Sequence, residues 1–407
     1  MKRIAIISLG YLWFPCESGT SRFFQIANTF VKAGWDVDCI TTSFQHFKKQ
    51  PRDNKQIFSQ EYPFSIIFID APAYKKNVDL RRIISNKVAE RNLKSYLKNN
   101  IIKYDAVYVS IPANNIAAMV TTLAKKNNIP VVVDIEDLWP EAMSMVIRNK
   151  RVRDFVLHSF LVDAETTYKN ASGIIGTSDD YTDRAFLHRE RNIPAETAYV
   201  GVNLDEFDEG VRMYSDEIKK TEGEFWVTYA GSISTSYDIK TLIDAGNLLK
   251  DDNIHIQILG TGSLKDELEK YSEQMENIHF WGFTPYPKMA AVLAASDVVV
   301  NSFIKKAPQS IVNKVGDYLA SGKPMINTLG NPVFCRLVES NKVGINTEAE
   351  DKEKLKDTVL RLYSDKKLTE ELGENARRFA EERFDRSKIY PRIVAFVEEI
   401  IERNMAK

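Results

Sequence analysis

The sequence predicts an α/β protein built from two Rossmann-like domains that face each other across a cleft. Short apolar, β-branched stretches alternate with stretches of helical period, and the same alternation begins again after residues 201–224, a polar stretch in which we expect no core pattern. Near-continuous apolar strands separated by helices form parallel sheets covered on both faces. A chain of 407 residues, at about 150 residues per domain, has room for two such domains.

Each domain follows from its own series of elements. The first half has predicted strands at 3–8, 37–42, 65–69, 106–109, 131–135 and 173–176, with helices at 21–32, 80–98, 114–126 and 151–169. The second half has predicted strands at 226–230, 254–259, 278–281, 298–301 and 324–327, with helices at 238–249, 264–275, 288–295 and 312–321. We therefore predict domains at 1–205 and 206–385, followed by a helix at 386–407 that packs back toward the first domain.

The composition argues against several classes of protein. Lys plus Arg number 55 and Asp plus Glu 56, so the overall charge gives no sign of nucleic-acid binding. Three scattered cysteines suit a reducing compartment, and neither they nor the histidines have the spacing of metal ligands. No apolar run approaches the ~18 residues of a membrane span, and the N-terminus has the pattern of a strand rather than a signal peptide. These features predict a cytoplasmic protein.

Polar residues follow the predicted strands of the first half, where the sites of parallel sheets lie. Gly19 and Thr20 come at a predicted helix N-terminus, which favours an anion, although a capping turn that binds nothing explains them equally well. Asp134, Glu136 and Asp137 cluster at the end of a buried strand, where like charges repel unless hydrogen bonds or a polar ligand offset them. We favour a functional site there over the alternative, a capped helix start.

Two glycine-containing turns in the second half are candidates for a phosphate or ribose site. Gly231 and Ser232 leave one predicted strand, and Gly260 and Gly262 leave the next. Both turns can present backbone N–H groups to oxygen atoms of a ligand. Each signal alone is weak, because turns from strand to helix often use glycine.

The segment 305–324 contains the most specific candidate for a ligand-binding site. Ser310 and Asn313 are predicted to cap a helix, and Lys314 in its first turns opposes the helix dipole. An anionic ligand would explain that lysine, and Asp317 could accept hydrogen bonds from both hydroxyls of a ribose. The alternative is a solvated Lys–Asp pair.

Together these segments resemble the GT-B glycosyltransferases, in particular the retaining family 4 group of bacterial surface-polysaccharide type, over nearly the whole chain. The segments GTSRFFQIANTFVKAGWDVDCIT, YDAVYVSIP, VVVDIEDLWPE and YVGVNLDEF occur in the order of that family's first domain. TYAGSI, LGTG and SIVNKVGDYLASGKP match its donor-binding elements, and the last is the most specific.

The chain departs from the family at recognisable positions. The Arg and Lys that grip the donor diphosphate in many members correspond to Ser232 and Tyr237, so the resemblance leaves that role to Lys314 and to helix N-termini. The family's paired glutamates correspond to Gln309 and Asp317, of which the second keeps its acidic character. The resemblance also places Ser310, Ile311 and Asn313 in the nucleotide-sugar site, and makes Glu136 and Asp137 the catalytic candidates.

The resemblance implies transfer of a sugar, with retention of configuration, from a nucleoside diphosphate sugar to a glycan or lipid-linked acceptor. A UDP-sugar is the preferred donor and a GDP-sugar the second choice, with no metal or other cofactor. Two alternatives stay open: a nucleotide-sugar 2-epimerase of the same fold, and a sugar-binding protein without catalysis. The epimerase would want carboxylates and histidine in the cleft, and the binding protein an export signal.

A basic segment predicts contact with an anionic membrane surface. Residues 74–104 contain nine Lys or Arg against Asp79 and Glu90, and Leu80, Ile83, Ile84 and Val88 add an apolar stripe at helical spacing. Basic amphipathic helices bind anionic lipid in this way. The alternative is that the stripe packs against the sheet while the charges are solvated.

Overall fold

The computed structural model describes residues 1–18, 21–76, 80–137, 150–187, 190–307 and 309–406. Two compact units divide the chain: Met1–Tyr199 together with Tyr390–Lys407, and Val200–Ile389. The boundaries predicted at 205/206 and 385/386 lie a few residues from these divisions. No helix in the described ranges is both long and apolar enough to cross a bilayer.

A seven-stranded parallel sheet forms the centre of the first unit, in the order β5-β2-β1-β6-β7-β8-β9. Its strands are β1 (Arg3–Ile7), β2 (Asp36–Thr42), β5 (Ser65–Ile69), β6 (Ala106–Ile111), β7 (Val131–Ile135), β8 (Gly173–Gly176) and β9 (Ala195–Thr197), and a small antiparallel hairpin adds β3 (Phe44–Gln45) and β4 (Gln50–Pro51). The helices are α1 (Pro15–Ser18), α2 (Arg22–Lys32), α3 (Asn54–Ile57), α4 (Leu80–Asn100), α5 (Asn114–Lys126), α6 (Lys150–Asn170) and α7 (Asp179–Arg184). Every residue of β6 and β7 is buried, as expected for strands covered on both faces.

The second unit repeats this plan with a six-stranded parallel sheet, in the order β12-β11-β10-β13-β14-β15. Its strands are β10 (Phe225–Ala230), β11 (Ile254–Leu259), β12 (Ile278–Gly282), β13 (Val298–Asn301), β14 (Met325–Asn327) and β15 (Gly344–Asn346). Its helices are α8 (Leu204–Tyr214), α9 (Ile239–Leu248), α10 (Lys265–Tyr271), α11 (Tyr286–Ala295), α12 (Lys314–Ala320), α13 (Pro332–Ser340), α14 (Lys352–Ser364) and α15 (Lys366–Phe379). These elements agree with the predicted α/β architecture.

The final helix, α16 (Arg386–Met405), passes from the second unit into the first. A Cβ atom on Gly173 of β8 would lie 2.8 Å from Ile400 and 2.9 Å from Phe396, so this close approach needs a glycine. The predicted return of the C-terminal helix to the first domain is therefore confirmed.

Residues 201–224 were predicted to carry no core pattern, and this is wrong. They include α8, whose Leu204, Phe207 and Gly210 are buried. Asn203 caps the helix by accepting a hydrogen bond from the backbone N–H of Glu206. Gly210 lets the helix lie against Pro287, because a Cβ atom there would be 2.7 Å from the Pro287 backbone.

Helix α4 buries a face that does not include Ile83 and Ile84 of the predicted apolar stripe. Ser85, Ala89, Leu93 and Leu97 are buried, whereas the side chains of Ile83 and Ile84 are 42% and 56% exposed. The alternative that the Ile83–Ile84 part of the stripe packs on the sheet is therefore wrong. Two isoleucines instead lie on the outer surface of a basic helix.

Candidate functional site

The amino group of Lys314 lies inside a cage of aromatic rings in the second unit. Its Nζ is 4.2 Å from the ring centroids of Tyr229 and Tyr237, 5.2 Å from that of Phe303 and 5.9 Å from that of Tyr318. The nitrogen is buried and has no hydrogen-bond partner among the described residues. Burial lowers the pKa of Lys314 well below its usual range, because the surroundings disfavour the charged form.

Tyr318 fixes this lysine at the carboxyl end of β10. The Tyr318 hydroxyl donates to the carbonyl oxygen of Ala230 and accepts from its N–H, both at 2.9 Å. Ala230 is the last residue of β10. Helix α12 is thereby attached to the sheet edge at which ligands of parallel α/β sheets bind.

The two predicted glycine turns meet beside this lysine. A Cβ atom on Gly260 would lie 1.8 Å from the carbonyl oxygen of Gly231, and one on Gly262 would lie 2.1 Å from that of Ile233. A Cβ atom on Gly231 would be 3.5 Å from Cδ of Lys314. The turns after β10 and β11 therefore pack tightly against each other, with the stem of Lys314 at their side.

Asp317 does not form an ion pair with Lys314, so the alternative interpretation of these residues as a solvated Lys–Asp pair is wrong. Instead its Oδ1 accepts a 2.9 Å hydrogen bond from the hydroxyl of Tyr286, the first residue of α11. Burial raises the pKa of Asp317 to about 6, and the Tyr286 hydrogen bond opposes that rise. Tyr286 was missed by the sequence analysis because a tyrosine after a strand carries no motif of its own.

The structure places some of the other predicted site residues as expected and some differently. Tyr237 belongs to the cage, and the carbonyl oxygen of Ser232 accepts from the Tyr229 hydroxyl at 2.7 Å. Asn313 occupies the N-cap position of α12 but makes no side-chain capping hydrogen bond, so its predicted capping role is wrong: its backbone is already helical. Ser310 is buried and Ile311 half-buried. Oε1 of Gln309 is buried without a hydrogen-bond partner among the described residues.

A second polar cluster lies at the carboxyl end of β7 in the first unit. Nε of the buried Arg22 is 3.1 Å from Oδ2 of Asp134 and 3.0 Å from Oε1 of Glu136. Tyr108 donates to Oδ2 of Asp134 at 2.6 Å, and Arg22 also donates to the carbonyl oxygen of Tyr199 at 3.0 Å. The Arg22–Glu136 contact is an ion pair without hydrogen-bond alignment, because Oε1 has no hydrogen-bond donor among the described residues.

Glu136 is therefore the less firmly bound carboxyl group of this cluster. Burial raises its pKa to about 8, with help from the neighbouring charges of Asp134 and Asp137 and against that of Arg22. A carboxyl group in this range can exchange a proton near neutral pH. Asp137 is half-buried beside it. Gly19, Thr20 and the predicted helix start after Asp137 lie outside the described residues.

Comparisons with known proteins found one matching family model and several structures of similar fold. Residues 212–379 match the family model described as "Glycosyl transferases group 1". No curated protein matches the chain. Among solved structures, sucrose-phosphate synthase from Thermosynechococcus elongatus is 16% identical over 99% of this chain and all of its own, with a TM-score of 0.70. Anabaena HepE in complex with UDP-glucose is 15% identical over the full length of both chains, with a TM-score of 0.63.

A third similar structure is WaaG, a glycosyltransferase involved in lipopolysaccharide biosynthesis. It is 15% identical over 97% of this chain and 99% of its own, with a TM-score of 0.64. The chain therefore has the GT-B fold of two Rossmann-like domains, and the match to the group 1 glycosyltransferase model lies within its second unit.

Proposed function

We propose that the protein transfers a sugar from a nucleoside diphosphate sugar, with a UDP-sugar preferred over a GDP-sugar, to a glycan or lipid-linked acceptor. The observation that carries this proposal is the buried amine of Lys314 beside two interlocked glycine turns. An amine that is buried without a partner costs stability, and a group kept at such a cost is a candidate for a functional role. An entering diphosphate supplies the missing negative charge.

Each part of the donor has a matching group in the second unit. Lys314 faces the diphosphate, where charge accumulates as the sugar leaves, and stabilises that charge. Asp317 accepts from the ribose hydroxyls with the carboxylate oxygen that Tyr286 does not use. The turns containing Gly231, Ser232, Gly260 and Gly262 present backbone N–H groups, with Gln309, Ser310, Ile311 and Asn313 at the same sheet edge. The complex of the similar protein HepE with UDP-glucose supports a UDP-linked donor.

In this proposal the transfer retains the anomeric configuration and proceeds without a metal. The leaving diphosphate helps deprotonate the acceptor hydroxyl on the face from which it departs. Glu136 and Asp137 act near the transferred sugar, where the carboxylate of Glu136, with a pKa of about 8, takes up the single proton that the acceptor hydroxyl loses with the help of the diphosphate.

The acceptor belongs, we propose, to a bacterial surface polysaccharide, assembled at the cytoplasmic side of a membrane. The exposed Ile83 and Ile84 on basic α4 support peripheral contact with anionic lipid. The similarity to WaaG, a glycosyltransferase involved in lipopolysaccharide biosynthesis, also supports this role.

Donor binding gives the first test. UDP, GDP and ADP are compared by thermal shift on the intact protein, on Lys314→Met and on Lys323→Met. Lys323 is a matched control, since it is a partly buried lysine just before β14, at the opposite end of the strands. We expect UDP to raise the Tm of the wild type and of Lys323→Met but not of Lys314→Met. Equal shifts in all three proteins would contradict the proposed role of Lys314, and no shift with any nucleotide would contradict the function.

The rate at which UDP is released, with and without an acceptor, distinguishes a transferase from an epimerase and from a sugar-binding protein. A transferase releases UDP from a UDP-sugar much faster once an acceptor is added. Release of UDP at the same rate without acceptor indicates an epimerase-like or hydrolytic enzyme. Binding without any UDP release indicates a sugar-binding protein.

A further inference from the structure

An aromatic surface in the first unit stands apart from the groups assigned so far. It consists of Tyr11 and Trp13 after β1, His46 and Phe47 at the tip of the β3–β4 hairpin, and Tyr74; we call it the hairpin ledge. The Phe47 ring meets those of Tyr11, Trp13 and His46 edge-on, at centroid distances of 5.8, 5.0 and 5.2 Å. Phe47 is nevertheless 52% exposed. An aromatic ring held in place by three others yet open to solvent is suited to contact the apolar face of a ligand ring.

A narrow cavity of about 40 Å³ opens beside the hairpin ledge at the carboxyl ends of β1, β2 and β6. Its polar lining includes Tyr11, His46, Arg82, Ser85 and Asn86. Because a buried water needs roughly 10–15 Å³ of such space, the cavity holds one small substituent rather than a whole sugar ring.

Two polar atoms at this cavity can form hydrogen bonds with a ligand. Neither the Tyr11 hydroxyl nor Nε2 of His46 has a hydrogen-bond partner within the described ranges. Nδ1 of His46 is bonded to the Tyr74 hydroxyl, so when Tyr74 donates that bond Nε2–H is left as a donor. Burial lowers the pKa of His46 to about 3, so the ring stays neutral.

Among the described residues, the charged side chains around the hairpin ledge are predominantly basic. The Arg82 guanidinium lowers the pKa of both His46 and Lys49, which places its charge close to the cavity. Lys49 lies over the Tyr74 ring at 5.3 Å, and Lys48 and Lys75 are exposed nearby. Within the described ranges, the carboxylates whose charges act on Tyr11 are those of Asp137 and Glu136.

We propose that the hairpin ledge is the acceptor subsite of the transferase and that it selects a sugar ring carrying an anionic substituent, a carboxylate or a phosphate. The ring lies against Phe47 and Trp13, and the substituent enters the cavity toward Arg82, Tyr11 and His46. Hydrogen bonds from arginine to oxyanions are among the stronger ones in proteins, so Arg82 sets the preference for charge. This inference rests on the proposed function and names the chemical class of its acceptor.

The test uses three soluble probes that differ in one substituent: methyl glucoside, methyl glucuronide and glucose 6-phosphate. UDP binding is established first, and the probes are then titrated with UDP saturating, so that the donor site is occupied. Dissociation constants come from ligand-detected NMR. Arg82→Gln and Tyr11→Phe are compared with Lys87→Gln, a control at an exposed lysine of the same helix α4. Arg82→Lys tests rescue by charge, and the Tm of each variant confirms that it is folded.

We expect at least one anionic probe to bind about tenfold or more tightly than methyl glucoside, because a charged hydrogen bond is worth that much. The preference should disappear in Arg82→Gln, weaken in Tyr11→Phe, return in part in Arg82→Lys and persist in Lys87→Gln. A preference for glucuronide alone identifies an acidic glycan, and one for the phosphate alone identifies a phosphorylated or lipid-diphosphate acceptor.

Three results would overturn the inference while leaving the proposed function standing. These are equal binding of the neutral probe, a preference for charge that survives Arg82→Gln, and UDP binding without binding of any probe. Failure of UDP itself to bind contradicts the proposed function instead.

Discussion

The hydroxyl of Tyr286 donates a 2.9 Å hydrogen bond to Oδ1 of Asp317. This bond joins the first residue of α11 to the middle of α12, at the edge of the sheet where Lys314 is buried. It holds the carboxyl group in one orientation and favours its ionised form against the effect of burial. The readiness of Asp317 to accept ribose hydroxyls therefore depends on a residue from another helix.

Tyr286→Phe should make UDP binding more sensitive to acid. In the wild type, affinity should fall as the pH drops through about 6, because Asp317 then gains a proton and no longer accepts both hydroxyls. Without the Tyr286 hydrogen bond the pKa of Asp317 rises further, so the loss should begin at higher pH. Calorimetric titration with UDP from about pH 5 to about pH 8 measures the shift.

Tyr271→Phe serves as the control for that experiment. Tyr271 donates a comparable 2.6 Å hydrogen bond to Asp244 on the surface of the same unit. Its removal should leave the pH profile of UDP binding unchanged. The same acid limb in Tyr286→Phe as in the wild type would contradict the proposed role of Asp317.

Lys314→Met should stabilise the unliganded protein while weakening UDP binding. Methionine fills the aromatic cage without a buried polar atom, and removing an unsatisfied polar group is worth about 1–3 kcal/mol. We expect a higher Tm without ligand and at least a tenfold loss of UDP affinity. A lower Tm together with the lost affinity would instead indicate that the lysine is needed to pack the cage.

Donor binding should take up a proton through Lys314. Burial favours the neutral amine in the free protein, and a diphosphate favours the ammonium. Calorimetry with UDP in two buffers of different ionisation enthalpy should therefore show proton uptake in the wild type and less in Lys314→Met. The same lowered pKa means that the unfolded chain binds more protons below about pH 10.5, so this residue makes stability rise with pH in that range.

Glu136→Gln should reduce kcat while leaving UDP affinity unchanged. If Glu136 accepts a proton during transfer, the wild-type rate should rise with pH through about 8, and the variant should lose this rise together with about 100-fold or more in kcat. Steady-state rates and UDP titrations separate the two effects. A lower Tm with a nearly normal rate would show that Glu136 serves only to neutralise Arg22.

Contact with a membrane should depend on the two exposed isoleucines of α4. The double change Ile83→Ser and Ile84→Ser should lower co-sedimentation with anionic vesicles, and added salt should lower that of the wild type, since each surface cation contributes about 1 kcal/mol. Met213→Ser is the control, because Met213 is 62% exposed on α8, outside the basic segment 74–104. Equal recovery on neutral and anionic vesicles would contradict membrane recognition.

The sequence was sufficient to predict the fold class, although it left several elements unassigned, among them α8, α13, β15, α14 and α15. Runs such as Val131–Ile135 are apolar and β-branched enough to be recognised as buried strands without any tertiary information. Helix α8 was missed because the buried Leu204 and Phe207 are separated by Asp205 and Glu206 in a short, largely acidic stretch. Only its packing against Pro287, distant in the chain, shows which face is buried.

The sequence predicted the central residue of the candidate site, Lys314, but not the residues that surround it. Lys314 could be singled out locally, because a lysine at a helix start opposes the dipole. Its actual environment comes from Tyr229 and Phe303 on other elements, which no local pattern brings together. Arg22 was missed for the same reason: its carboxylate partner Asp134 is 112 residues away.

The path of α16 has a consequence for how the chain folds during synthesis. The face of β8 at Gly173 is covered by Phe396 and Ile400, which leave the ribosome only after the entire second unit has been made. Domains generally fold in the order in which they are synthesised. Here the second unit can finish folding before the first, whose apolar surface stays open until the final helix arrives. A chain interrupted before residue 390 would therefore have a complete second unit and an aggregation-prone first one.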